Sequence, residues 1–147
     1  MVAAKSPQCE IVGVDLWKDT NYAGMPNPGP DFVRAELGRL GHTGRLELLV
    51  GDSHAILPAY FSEHPDLFFD LITVDGDHYE EGARQDLKDV MPRLKIGGIL
   101  VFDDISHPAL PYLDRIWQET VGSDPRFSSW RYSELGYGVA LAVRKSI

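Results

Sequence analysis

Residues 70–78 read DLITVDGDH and residues 97–104 read GGILVFDD. Each stretch is a short run of aliphatic and β-branched residues that stops abruptly in carboxylates. Runs of this kind, bounded by Gly and Asp, form strands. A strand over Phe69–Val74 and another over Ile99–Phe102 decide the fold. In an open parallel sheet, ligands bind in the crevice beyond the carboxyl ends of the strands. Two neighbouring strands of this type aim Asp75, Asp77, Asp103, Asp104 and the imidazole of His78 at one crevice. Clustered carboxylates repel unless something positive sits among them, and a divalent cation is the simple answer. The plainer reading of the same aspartates is that they are turn and cap residues, a common role just after a strand.

Working outward, short β-branched runs alternate with segments of helical period, the pattern of a βαβ sheet. Glu10–Asp15 reads as a strand, Leu16–Pro30 as a long loop rich in Gly, Pro and Asn, and Asp31–Leu40 as a helix. A turn at Gly41–Gly44 leads to a strand over Arg45–Val50. Ser53 is placed to cap a helix running to about His64, with Pro58 kinking it or sitting in a first turn. Glu80–Leu94 is the most amphipathic segment, with Leu87, Val90, Met91 and Leu94 at helical spacing. Lys95-Ile-Gly-Gly reads as a turn into the strand at Ile99. A helix is expected over Ala109–Val121, then two strands, Phe127–Leu135 and Tyr137–Arg144, about a tight turn at Gly136. The run GVALAVR is almost wholly apolar, so its strand is expected inside the sheet.

The bulk properties bound the function. A chain of 147 residues is enough for one domain with one core. The net charge of −8 argues against a nucleic-acid backbone as partner, which needs a basic face. Cys9 is the sole cysteine, so no internal disulfide forms and a reducing compartment, the cytoplasm, fits. No apolar run approaches the ~20 residues of a membrane span, and the start, MVAAKSPQCE, has no signal-peptide pattern.

The order EIVGVD (10–15), RLELLVGDS (45–53) and FDLITVDGDHYEEGARQDLKDVMPRLKIGGILVFDDI (69–105), closed by a terminal hairpin, resembles the class I S-adenosylmethionine-dependent methyltransferases. Within them it is similar to small bacterial Rossmann-like domains akin to the metal-dependent O-methyltransferases of the catechol and macrolide-sugar type. The segment from Asp70 to Ile105 carries the specific part of the likeness. The resemblance implies an α/β fold: a three-layer αβα arrangement, a mostly parallel sheet and a C-terminal antiparallel hairpin. It implies that Asp15 holds the ribose hydroxyls of S-adenosylmethionine and that Asp52 and Ser53 meet its adenine. It makes Asp75, Asp103 and Asp104 the metal ligands, with Asp75 also bordering the cofactor. His78 takes the place of the general base, with Asp77 in reserve. Methyl transfer of this type is an in-line displacement from a sulfonium carbon to an oxygen. A carboxylate-held Mg²⁺ lowers the pKa of a bound hydroxyl and fixes its direction. A nearby base takes the proton, and an imidazole has a suitable ordinary pKa of about 6.5.

The family opens with a strand and a glycine-rich loop, E-x-G-x-x-x-G or similar. Here Met1–Lys5 reads as the end of the helix that follows that loop. The expectation is therefore a single, truncated methyltransferase-like domain over residues 1–147 with its first and central strand missing. The strands ending at Asp15 and Asp75 then lose the partner between them. Unpaired edges in an apolar setting attract other chains, so a homo-oligomer is expected. Other residues carry open readings: Trp17 and Tyr22 line a pocket or cover a sheet edge, Met25–Asp31 is an acceptor lid or a plain loop, and His107 reaches the site or stays outside it. Trp117 is expected in the core and Cys9 buried at a strand start. The functional expectation is metal-assisted O-methyl transfer to a small hydroxylated acceptor, with no nucleic-acid or membrane partner. The competing expectation is a non-catalytic remnant that associates through its exposed sheet.

Overall fold

The computed structural model describes residues 5–18 and 26–146. Met1–Ala4, Tyr22 and Met25 lie outside the described residues, and with them most of the expected N-terminal helical turn and part of the expected lid. The chain divides into two compact units, Met1–Ile56 and Leu57–Ile147.

The first unit holds β1 (Ile11–Asp15), α1 (Gly29–Arg39), β2 (Leu46–Val50) and the start of α2 (Ser53–Glu63). β1 and β2 pair in parallel, from Ile11 opposite Leu46 to Asp15 opposite Val50. Gly44 lets the incoming chain pass against the backbone of Cys9, where any Cβ would collide with the Cys9 carbonyl. Cys9 is half-buried and precedes β1 rather than opening it. α1 starts two residues earlier than its sequence suggests, with Pro30 in its first turn, where a missing N–H costs nothing. The cap of α2 falls on Asp52, whose Oδ1 accepts the His54 N–H at 2.9 Å, and Ser53 is the first helical residue. Pro58 lies inside that helix.

The second unit is built on a sheet of order β3-β4-β6-β5, from β3 (Phe69–Val74), β4 (Leu94–Asp103), β5 (Phe127–Tyr132) and β6 (Val139–Arg144). β3 and β4 run parallel, and β6 pairs antiparallel with both β4 and β5. β6 is thus internal, as its unbroken apolar run requires. β4 begins at Leu94, where the sequence suggested the end of a helix, and runs through Lys95–Gly98, where it suggested a turn. Gly97 adopts φ +81°, and the pairing shifts register between Phe69 and Leu71, so the glycines make an irregularity within a long strand instead of ending it. α3 (Glu80–Val90) is shorter than the amphipathic run that encodes it. Pro92 lacks the N–H to continue it, and a 3₁₀ turn over Met91–Arg93 leads straight into β4. The buried Arg144 donates to the carbonyls of Pro92 (3.2 Å) and Leu94 (2.5 Å), which ties that turn to β6. α4 (Tyr112–Trp117) is also shorter than expected, since Pro111 sets its start and a π-helical turn, Gln118–Gly122, replaces its last turns.

One face of this sheet, carrying Ile72, Val74, Leu100, Phe102, Ala140 and Ala142, packs against α3 and α4 through Leu87, Leu113, Ile116 and Trp117. Trp117 is fully buried, as expected, and stacks on Phe102 with centroids 6.0 Å apart. Leu71, Ile99, Leu141 and Trp130 alternate with those core positions and stay partly exposed. β1 pairs only with β2, and β3 only with β4, among the described residues. Among the described residues no helix is long and apolar enough to cross a membrane.

Leu87 is buried to 0% exposure, whereas Leu135 is 73% exposed. Leu87→Ala is expected to lower the unfolding free energy by about 2–5 kcal/mol, and Leu135→Ala to change it by no more than about 0.5 kcal/mol. Urea denaturation of the two variants checks both.

Candidate active site

The parallel pairing of β3 with β4 sets Val74 opposite Phe102, so the acidic residues that follow emerge side by side. Asp75, His78 and Asp104 come together there. One ligand atom from each lies within 4.8 Å of the others. The Nε2 of His78 is 3.0 Å from Asp104 Oδ2 and 3.8 Å from Asp75 Oδ1. The Asp104 side chain is 13% exposed and that of His78 24%, while Asp75 opens to solvent at 55%. A hollow of about 10 Å³, bordered by Asp75, His78, Asp103 and Leu113, adjoins them. That is about the volume one water-sized particle needs.

The local backbone is unusual at Asp104, which has φ +61°. Left-handed backbone is strained for a residue with a side chain, although Asp tolerates it better than most. The strain turns the chain sharply after β4 and swings the carboxylate toward His78. Asp103 stands outside the triangle expected to include it. Its Oδ1 accepts the N–H of Asp104 at 2.9 Å, so it fixes the turn that presents its neighbour.

His78 is held from two sides. Its Nδ1 lies 3.0 Å from the carbonyl of Gly76, and its own carbonyl accepts the hydroxyl of Tyr112 at 2.8 Å. A carbonyl oxygen is only an acceptor, so Nδ1 carries a proton. The Asp104 carboxylate likewise only accepts, so its 3.0 Å contact with Nε2 is a hydrogen bond when Nε2 also carries a proton, which makes the ring an imidazolium; a neutral ring donates to only one of the two partners. Asp77 has a different post. Its Oδ1 accepts the N–H of Tyr79 at 2.8 Å at the start of α3, and Gly82 packs so closely on its side chain that a Cβ would collide.

Two residues here escaped the sequence reading. Asp86, 4% exposed, accepts the N–H of Asp77 at 3.1 Å and abuts Gly76. It lies four residues from Gly82 and from Val90, on the buried stripe of α3, so a carboxylate in line with the apolar positions was the available signal. Tyr112 had no such signal, because its hydroxyl reaches His78 from a distant segment.

In the first unit, Asp15 ends β1, and its Oδ1 accepts the N–H of Trp17 at 2.6 Å. Its second oxygen makes no hydrogen bond among the described residues. Trp17 has φ +49°, and its indole N–H is buried without a partner among the described residues. Asp52 and Ser53 sit at the start of α2. His107 turns away from the triangle, its ring 4.3 Å from that of Tyr137 and its Nδ1 accepting the Ala109 N–H.

A family model described as "Methyltransferase domain" matches residues 2–105. Among solved structures, the chain is similar to CalS11, a TDP-rhamnose 3′-O-methyltransferase of calicheamicin biosynthesis, at 23% identity and a TM-score of 0.65. It is similar to an O-methyltransferase from Bacillus cereus in complex with SAH, at 16% identity and 0.67 over 98% of this chain and 77% of that one. A methyltransferase from Geobacter sulfurreducens matches at 22% identity and 0.66, over 97% of this chain and 63% of that one. The match to CalS11 covers 96% of this chain but only 61% of that one, so the chain spans about three-fifths of that relative's length. No curated protein sequence matches significantly.

The positive φ of Asp104 gives a direct test of the backbone reading. Asp104→Ala and Asp104→Gly both remove the carboxylate, but only glycine relieves the left-handed strain. The alanine variant is expected to be less stable than the glycine variant by about 1 kcal/mol, measured by urea unfolding of the pair. Equal stabilities would overturn the assignment of strain.

Proposed function

The chain belongs to the methyltransferase-domain family, and on that premise we propose that it serves S-adenosylmethionine-dependent methyl transfer to a hydroxyl oxygen of a small acceptor. The observation that carries the reading is the triangle of Asp75, His78 and Asp104 beyond β3 and β4.

His78 is the general base. With Nδ1–H held by Gly76, Nε2 is the nitrogen that would take a proton from the acceptor hydroxyl, in exchange for its 3.0 Å contact with Asp104. The imidazolium formed then faces Asp104 at 3.0 Å and Asp75 at 3.8 Å, and both carboxylates stabilise its charge. The acceptor oxygen bonds to the methyl carbon as the carbon–sulfur bond breaks, and the electron pair leaves on the thioether sulfur of the product. Tyr112 and the Asp103 turn hold the base and its partner at fixed positions, which is the larger part of what an enzyme supplies to such a displacement.

The donor set also fits a divalent cation. Two carboxylates and one imidazole nitrogen suit Mg²⁺ or Mn²⁺, with the remaining positions left to water or acceptor oxygens. Asp75 and Asp104 would hold it, with Asp103 alongside. Such an ion, when bound, lowers the pKa of a coordinated hydroxyl. For the cofactor, Asp15 fits as the bidentate-capable acceptor for ribose hydroxyls, since one oxygen is unpaired and the buried Trp17 N–H stands nearby in sequence without a partner. Asp52 and Ser53 fit as contacts to the adenine, and Asp75 as a further candidate cofactor contact. A cytoplasmic setting suits the single cysteine. The unpaired edge of β3 and the partly exposed Leu71, Ile99, Trp130 and Leu141 favour association of copies.

Isothermal titration with S-adenosylmethionine tests the core of this reading. Saturable heat is expected, weakened by Asp15→Ala and unchanged by Asp104→Asn. The absence of heat, with or without Mg²⁺, would end it for this chain. Titration with Mn²⁺ is expected to broaden the amide NMR signals around Asp75 and Asp104, and Asp75→Asn with Asp104→Asn to abolish the effect. Retention of the broadening in His78→Ala shows that His78 is not a required ligand and leaves it available as base, and loss of the broadening makes His78 a ligand.

A further inference from the structure

The peptide unit between Gly76 and Asp77 is trans, so its N–H and C=O point in opposite directions. Both ends meet a side chain. The N–H, that of Asp77, donates to Asp86 Oδ2 at 3.1 Å. The C=O, that of Gly76, lies 3.0 Å from His78 Nδ1. One rigid plane thus stands between a carboxylate of α3 and the imidazole of the triangle. Two features mark the approach as specific. Gly76 has no positive φ that would call for glycine, but a Cβ there would come within 2.8 Å of Asp86 Oδ2. The missing side chain is what lets the carboxylate close on the peptide. Asp86 itself runs against the local preferences. It is 4% exposed, on a buried helix face otherwise made of Gly82, Ala83, Leu87 and Val90, where a carboxylate is costly unless hydrogen-bonded. Asp is a poor helix former. The helix dipole favours acids only in the first turn, a place already held by Glu80 and Glu81.

The neutral ring of His78 has one proton for two acceptors, the Gly76 carbonyl and the Asp104 carboxylate. A carboxylate is ordinarily the stronger acceptor, so an unsupported Gly76 carbonyl would lose that contest. A second carboxylate at the far end of the same peptide changes it. Hydrogen bonds in a chain polarise one another, and the charge beside the Asp77 N–H pushes electron density onto the Gly76 oxygen. The same bond fixes the plane, so that oxygen cannot turn away from Nδ1. Burial strengthens both effects, because little water is present to screen them. We propose that Asp86 is a positioning residue for His78: acting through the Gly76–Asp77 peptide, its carboxylate holds the ring proton on Nδ1 and keeps Nε2 bare for the acceptor hydroxyl. The use of Nε2 as a base rests on the methyl-transfer reading, whereas the hold on Nδ1 does not.

The test is nitrogen NMR of the histidine side chains in the whole chain, at alkaline pH where the ring is neutral, without S-adenosylmethionine or metal. The His78 signals are those missing from His78→Gln. The readout is the ratio of the Nδ1–H to the Nε2–H tautomer. Asp86→Ala is expected to lower that ratio about tenfold, the effect of one hydrogen bond to a charged group. Asp86→Asn keeps an acceptor for the Asp77 N–H without the charge, and is expected to lower it about threefold. Leu87→Ala removes a buried neighbour on the same helix, and is expected to destabilise the fold while leaving the ratio unchanged. A ratio unmoved in Asp86→Asn, or moved as far by Leu87→Ala as by Asp86→Ala, would overturn the proposal. The isosteric Asn variant decides it if the alanine variant does not fold. A graded ratio without any binding of S-adenosylmethionine would leave the positioning role standing and sink the methyl-transfer reading. Cofactor binding with an unmoved ratio would sink the positioning role alone.

Discussion

The parallel pairing of β3 with β4 is the constraint on which the second unit and its candidate site depend. A parallel pair brings both strands to an end on the same side of the sheet, so Val74 opposite Phe102 obliges the residues beyond them to share a neighbourhood. The sequence places carboxylates at both ends. Their mutual repulsion is a cost, and the group placed to offset it is the imidazolium form of His78, 3.0 Å from Asp104. The buried face beneath supplies the stability for this. Leu100 and Phe102 alternate into a core with Leu87 and Trp117, and the same strand that anchors the core delivers Asp103 and Asp104 to its edge.

Strain and hydrogen bonding do the aiming. Asp104 sits in a left-handed backbone conformation, held there by the carboxylate of Asp103. His78 is fixed by Gly76 on one side and Tyr112 on the other. Backbone strain of this kind persists only where the surroundings over-determine it, and it concentrates at functional sites.

Much of this was legible in the sequence because the signals were local. β3 runs over the residues its β-branched run marks, and the internal place of β6 follows from an apolar run too continuous for an edge. Strand ends alone pointed to a shared crevice for Asp75, Asp77, His78, Asp103 and Asp104, of which Asp75, His78 and Asp104 come within 4.8 Å of one another. Illegible features were those set by distant partners or by single backbone angles. Gly97 and Gly98 look like a turn, yet they ride inside β4, because pairing with β3 extends the strand through them. Asp103 and Asp104 are chemically identical in sequence, and only the positive φ of the second decides which one faces His78. The role of Tyr112 depends on a hydrogen bond across 34 residues of chain, which no periodicity encodes. Helix ends moved wherever proline intervened, at Pro92 and Pro111.

The turn-residue reading of these aspartates and the functional reading are not rivals. A carboxylate has two oxygens and about four acceptor sites. Asp15 spends Oδ1 on the N–H of Trp17, and Asp103 spends Oδ1 on the N–H of Asp104. In each case the second oxygen is left without a hydrogen bond among the described residues, and its direction is set by the bond the first one makes. An unconstrained aspartate would lose rotamer freedom on binding a ligand; one already tied into its own turn has lost it during folding. Aspartate at the end of a strand therefore closes the turn and presents a rigid acceptor in the same act. The short side chain, which reaches its own backbone two residues on, makes Asp rather than Glu the residue that can do both.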